Sequence, residues 1–248
     1  GFRRLLCKAY IPAVGHMWFN HKTGKYDFSA FAPAFEYLMQ MKEDGSLFPG
    51  PESINIDPIR AQFAEGRIGM MTAPAYDVGV YNDQFPAKCD WGVADLPGED
   101  PNGPKYKEPA LERAHFGMSS KITEDREQAV FEVYKFVFSD QHLANLYEEC
   151  AFIPYKPEII EMAGEPKEKV GWKEFSGNLE ISYGLFPFPD SIVQVQGKGA
   201  NEVFESIFIG DTGIEEGLAD LDKRYNAAFQ EAVDSGKIDP DNYMFDVD

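Results

Sequence analysis

The stretch "IDPIRAQFAEGRIGMMTAPAYDVGVYND", from Ile56 to Asp83, reads as a helix, then a strand, then a turn of small residues that delivers a tyrosine. Asp57 is a natural N-cap, Pro58 suits the first helical position, Ile59 and Phe63 share a face, and Gly66 ends the run. Directly after it, "RIGMMTA" is a short apolar run of strand length, and "DWGVADLP", from Asp90 to Pro97, is another. The spacing therefore predicts strands over 66–72 and 91–96 in one sheet. Helices alternating with short buried strands indicate an α/β architecture.

Upstream, Phe31, Phe35, Leu38 and Met39 fall at helical spacing, and "KEDGSLFPG" stops that helix at Gly45. Downstream, "PGEDPNGPKYKEPALERA" carries four prolines and two glycines and reads as a loop or crossover. Beyond it, "HFGMSSKI" looks like another strand. The helix "EDREQAVFEVYKFVFSD" aligns Ala129, Val133, Phe136 and Val137 on one face, and "QHLANLYEE" is a second, shorter helix. A second irregular stretch, "EFSGNLEISYGLFPFPDS", precedes a helix around Asn201 to Phe208. A last long helix, from about Ile214 to Val233, aligns Ile214, Leu218, Leu221, Tyr225, Phe229 and Ala232.

Acidic residues outnumber Lys and Arg by 42 to 23, a formal charge of −19 that repels phosphate backbones and anionic lipid. No nucleic-acid partner is expected. Three cysteines far apart, Cys7, Cys89 and Cys150, form neither a disulfide framework nor a Cys-x-x-Cys site. No apolar run approaches the ~18 residues that span a bilayer, so this segment is not expected to insert in a membrane, and no signal peptide opens the chain.

The usual catalytic patterns do not occur: there is no His-Glu-x-x-His, Gly-x-Ser-x-Gly or P-loop. "GKGANE" has two of the three glycines of a dinucleotide fingerprint but opens no convincing βα turn. The four histidines lack metal-ligand spacing, and the acidic C-terminus lacks the glycine of a calcium loop. Neither a catalytic residue, a metal nor a cofactor is expected.

The order "GKYDF", "DGSLFPG", "AQFAEGRIGMMTAPAYDVGVYNDQFPAKCDWGVADLPG", "FGMSSKI", "AVFEVYKFVFSD" and "FIPYKPEI" resembles extracellular solute-binding proteins of the family 1 type, the sugar receptors of ABC importers, and in particular Gram-positive lipoproteins. The resemblance implies a type II periplasmic-binding-protein-like fold in which two α/β lobes close on a ligand. It implies that residues 1–112 begin the second lobe, 113–185 return to the first, and 186–248 complete the second. It also implies that the N-terminal portion of the first lobe is missing, so that this is the C-terminal part of a longer receptor. The implied function is non-catalytic binding of a mono- or oligosaccharide for delivery to permease subunits. The implied location is extracellular, with a lipid anchor at the outer face of the cytoplasmic membrane and outside this sequence.

In that family an aromatic residue commonly follows the strand after "F-x-x-G-x-x-x-M", a place held here by Tyr76. Residues at the carboxyl ends of strands line the crevice of open α/β sheets, and an aromatic ring packs on the C–H face of a sugar. Asp77 beside it reads as a sugar-hydroxyl acceptor or a helix cap. Tyr10, Trp18 and Gln194 are further candidates where the family brings chain to the cleft rim, each equally readable as packing, and His115, at an implied crossing between lobes, reads as hinge or cleft. Two alternatives stand beside the sugar receptor: an extracellular glycoside-processing enzyme, and a receptor of the same fold for a non-sugar solute such as a polyamine, metal chelate or peptide, where acids near Tyr76 would suit a cation.

Overall fold

The computed structural model describes residues 16–50, 54–94, 109–110, 117–177, 183–184 and 187–245. The chain divides into two units, one of Gly1–Ile56, Leu96–Pro109 and Gly184–Asp248, the other of Asp57–Asp95 and Ala110–Tyr183. Two of the chain's four passages between them fall within the short strands Pro109–Ala110 and Tyr183–Gly184, which pair with each other. Helices dominate the described residues.

The core of the first unit is aromatic. Phe19–Asn20 and Lys25–Tyr26 form an antiparallel ladder with Phe19 opposite Tyr26, and Phe19 is buried in one cluster with Phe28, Phe35, Phe204 and Phe208. The ladder's outer edge is closed by the long helix Ile214–Asp234, where Asn226 accepts from the Tyr26 N–H at 2.9 Å and donates to the Tyr26 carbonyl at 2.8 Å. One side chain thus supplies both partners of an exposed strand edge. One turn earlier Asp222 accepts from the Phe28 and Ser29 N–H groups and from the Ser29 hydroxyl. Burial raises the Asp222 pKa, although these hydrogen bonds oppose the shift.

Three expected helices are present in this unit: Ala32–Glu43 buries Phe35 and Leu38, Ala200–Ile209 buries Val203, Phe204, Ile207 and Phe208, and Ile214–Asp234 buries Leu218, Leu221, Phe229 and Ala232. Between the last two, a Cβ on Gly217 would lie 2.9 Å from Ile207 Cδ1. Glycine there is what lets the two helices approach so closely.

In the second unit the expected helix forms as Ile56–Ala64, and Gly66 ends it at a φ of +74°. The strand expected next does not form. Residues 67–74 are irregular and Met70 is 91% exposed. Residues 91–94, the described part of its expected neighbour, are irregular too. An apolar run becomes a strand only when a second strand takes up its backbone groups, and among the described residues neither run is paired with one. The strand expected at "HFGMSSKI" is likewise absent over 117–122, while His115 and Phe116 lie outside the described residues. Over the described residues the coarse fold is mostly helical with small two-stranded sheets.

The second unit joins its two stretches of chain through buried contacts. Val78 packs with Cys150 and Trp172 in a single buried cluster, and Asn82 exchanges hydrogen bonds with the Val170 backbone. Residues 57–95 share their unit with 110–183. The helices here are Glu124–Val137, Asp140–Glu148, Pro157–Met162 and Trp172–Gly177. No described helix is long and apolar enough to cross a membrane.

Candidate functional site

Tyr76 sits in the second unit on a tight turn, where the Asp77 and Val78 N–H groups donate to the carbonyls of Pro74 and Ala75 at 2.9 and 3.1 Å. The turn opens a short helical segment, Asp77–Gly79, continued as a wider turn over Val80–Gln84. That segment buries Val78 completely, with Val80 and Tyr81 also in the core. Tyr76 instead points outward and is 53% exposed. The small residues Ala73, Pro74 and Ala75 build the turn, and the buried segment after it fixes where the tyrosine stands.

The Tyr76 ring lies over a buried cation. The Arg60 guanidinium carbon is 5.8 Å from the ring centroid, within cation–π range. Arg60 reaches there from the helix Ile56–Ala64 and donates to Asp57 at 2.9 Å and to the Asp77 carboxylate. Asp77 is only 1% exposed. Burial pulls the Arg60 pKa down, but the Asp57 hydrogen bond and the Asp77 charge outweigh it and leave it raised. A planar fork with several donors can serve two carboxylates at once, which an ammonium cannot. Arg60 Nε has no hydrogen-bond partner among the described residues, so the guanidinium is held by its terminal nitrogens alone.

Asp77, read from the sequence as a sugar-hydroxyl acceptor or a helix cap, is buried. Its carboxylate is turned inward onto Arg60.

Trp18 and Gln194 belong to the first unit. Trp18 stacks on Phe28 with centroids 6.1 Å apart and planes 12° from parallel, and its indole N–H donates to Asp190 at 3.0 Å. The Tyr26 hydroxyl donates to the same carboxylate at 2.6 Å, and burial with that partner pushes the phenol pKa well up. Trp18 is thus a packed member of the core rim. Gln194 is exposed on an irregular stretch. Tyr10 and His115 lie outside the described residues. The structure joins Tyr76 and Asp77 in one cluster with Arg60 and Asp57, and joins Trp18 with Tyr26 and Asp190. Sequence reasoning missed Arg60 and Asp190; the signals were Asp57 three residues before Arg60 on a helix, and an acid within the aromatic run "FPFPDS".

Cavities among the described residues are lined by other side chains than these. One of about 320 Å³ in the second unit has Tyr81 and Trp91 in its wall, and one of about 260 Å³ in the first has Ser206, Glu216 and Arg224. Tyr76 lines neither. Among the described residues no group of three or more His, Cys, Asp or Glu is placed to hold a metal ion. The chain matches no protein-family model and no curated protein.

Proposed function

We propose that this chain is part of a non-catalytic extracellular receptor that binds a neutral carbohydrate and hands it to the permease subunits of an ABC importer. In this reading it belongs to two α/β lobes that close on the ligand, with a lipid anchor holding the receptor at the outer face of the cytoplasmic membrane. Two things support it. The motif order from "GKYDF" to "FIPYKPEI" resembles that receptor family, and the aromatic residue at the family's ligand position, Tyr76, stands half exposed on a rigid turn. The second observation carries the proposal. A large ring held out of the core by a buried segment has a surface to offer, and a sugar's C–H face is a fitting partner for it.

Calorimetric titration with neutral oligosaccharides tests it, alongside an assay for reducing ends released from the same sugars. Saturable binding without release is the expected result, and turnover would move the protein to the glycoside-processing class. Tyr76→Ala should cost about 1–3 kcal/mol of affinity, the range of a moderately important contact residue. A fully buried aromatic would instead cost about 3–5 kcal/mol of stability on truncation. Unchanged affinity with a large loss of melting temperature in this variant would assign Tyr76 to packing and remove the reading's support.

A further inference from the structure

We propose that the cavity of about 260 Å³ in the first unit is a further binding site, one for a small zwitterion of the free α-amino-acid kind, in which Lys198 takes the ligand's carboxylate and Glu216 its ammonium group. The inference goes beyond the carbohydrate reading and does not rest on it, because Tyr76 lies in the other unit.

The stretch "GKGANE" supplies Lys198 just ahead of the helix Ala200–Ile209, and the Lys198 ammonium donates to the Ser206 hydroxyl at 3.1 Å. Ser206 is 7% exposed, and among the described residues its hydroxyl accepts that one bond and donates none. Thr212, between the two helices, and Glu216, in the first turn of Ile214–Asp234, also line the cavity. Among the described residues neither of these two side chains makes a hydrogen bond or an ion pair, and Lys198 makes no ion pair. Lys198 and Glu216 therefore share one cavity without pairing with each other. Arg224 holds the frame: it donates to Asp220 at 2.7 Å and to the carbonyls of Gln196 and Lys198 at 3.0 and 2.9 Å. The loop that carries Lys198 is thus tied to the helix that carries Glu216, and their backbones keep a set spacing before a ligand arrives.

The lining favours a ligand that carries both charges. A simple anion on Lys198 would share the cavity with Glu216 and Asp220, and a simple cation on Glu216 would share it with Lys198 and Arg224. A zwitterion gives each of the two unpaired groups its opposite charge. The Ser206 hydroxyl, and that of Thr212, whose N–H donates to the Ser206 carbonyl at 3.2 Å, are further donors for a carboxylate. Size narrows the class: the cavity has room for roughly nine waters at ~30 Å³ each, which suits a free amino acid and not a peptide or an oligosaccharide. No aromatic ring is among its lining residues, so it offers a sugar no stacking face.

Calorimetric titration of the full chain with glycine, L-alanine, L-serine and L-glutamine tests the site, beside the N-acetyl form of each, which keeps only the carboxylate, and the amide, which keeps only the ammonium group. At least one zwitterion should bind, and its two blocked forms should bind about tenfold more weakly or worse, the loss of one charge-assisted hydrogen bond. Lys198→Met and Glu216→Gln, both at exposed positions, should melt like the wild type and each lose affinity by a similar factor. In lysine-labelled wild type, the side-chain resonance assigned to Lys198 through Lys198→Arg should move when the zwitterion binds, a readout that does not depend on how the neutral variants fold. Binding of none of the four amino acids, equal affinity for a blocked form, wild-type affinity in either neutral variant, or an unmoved Lys198 resonance at saturation would overturn the proposal. None of these outcomes bears on the carbohydrate reading, which is decided by the oligosaccharide titration and Tyr76→Ala.

Discussion

The buried imidazole of His21 packs between Phe19 and Phe188, with ring centroids 5.3 Å from each, and its Nδ1–H donates to the Tyr243 carbonyl at 2.9 Å. Burial lowers its pKa; the Tyr243 hydrogen bond opposes the shift, and nearby His16 reinforces it. The folded protein therefore holds the proton less well than the unfolded chain. As pH falls through about 6.5, the ordinary imidazole value, the unfolded state gains a proton that the folded state declines, and stability falls with it. The contribution is present above that pH and lost below it, with a slope of at most about 1.4 kcal/mol per pH unit for one proton. Urea unfolding at about pH 7.5 and about pH 5.5, either side of that value, should show a smaller difference for His21→Gln than for the wild type. An equal difference in both proteins would mean that His21 is not the group responsible. At this scale the sequence was readable where chemistry is local. Tyr76 is flagged by the three small residues before it, whereas the Arg60–Asp77 pair spans 17 positions. Helical spacing gives no reason for Arg60 to leave the solvated face.

Helices were legible because their signal is internal. The runs around 32–43, 56–64, 124–137, 140–148, 200–209 and 214–234 each carry an apolar stripe at helical period, and each is a helix. The strand expected over 66–72 does not form, and residues 91–94, the described part of the one expected over 91–96, are irregular, for the complementary reason. A strand is defined by a partner elsewhere in the chain, and an apolar run with Gly69 at its middle holds no information about whether one arrives. Helix pairing leaves one local mark, Gly217, whose added Cβ would sit 2.9 Å from Ile207 Cδ1 and 3.1 Å from Thr212 Cγ2. Ile207 is 1% exposed and cannot swing away into solvent. Gly217→Val should therefore destabilise by about 1–3 kcal/mol through overpacking. Gly217→Ala should cost less, because alanine recovers up to about 1 kcal/mol of helix propensity. Denaturant midpoints for the two variants check the order, and a valine variant as stable as the wild type would show that the helices are not in tight contact there.

Across the molecule, two opposed properties set how the chain behaves in solution. The helix Glu124–Val137 buries none of its residues, and Phe131, Val133 and Phe136 are 42%, 62% and 61% exposed. The apolar face expected from Ala129, Val133, Phe136 and Val137 is thus largely wet, and apolar surface left in water favours association. Against it stands a formal charge of −19, which makes copies of the chain repel one another. Repulsion between surface charges acts over about 10 Å at 0.1 M salt and about 3 Å at 1 M. Apolar association does not weaken with salt in that way. Sedimentation should therefore show little association at low salt and more as salt is raised, the reverse of an assembly held by ion pairs. The double variant Val133→Glu with Phe136→Glu should abolish the salt-promoted association and the binding of an apolar dye. Its melting temperature should hardly change, because neither side chain contributes to a core. If both variant and wild type associate equally at high salt, the helix face is not the adhesive surface; if the variant unfolds, that face is covered in solution by something that the exposure of Val133 and Phe136 does not show.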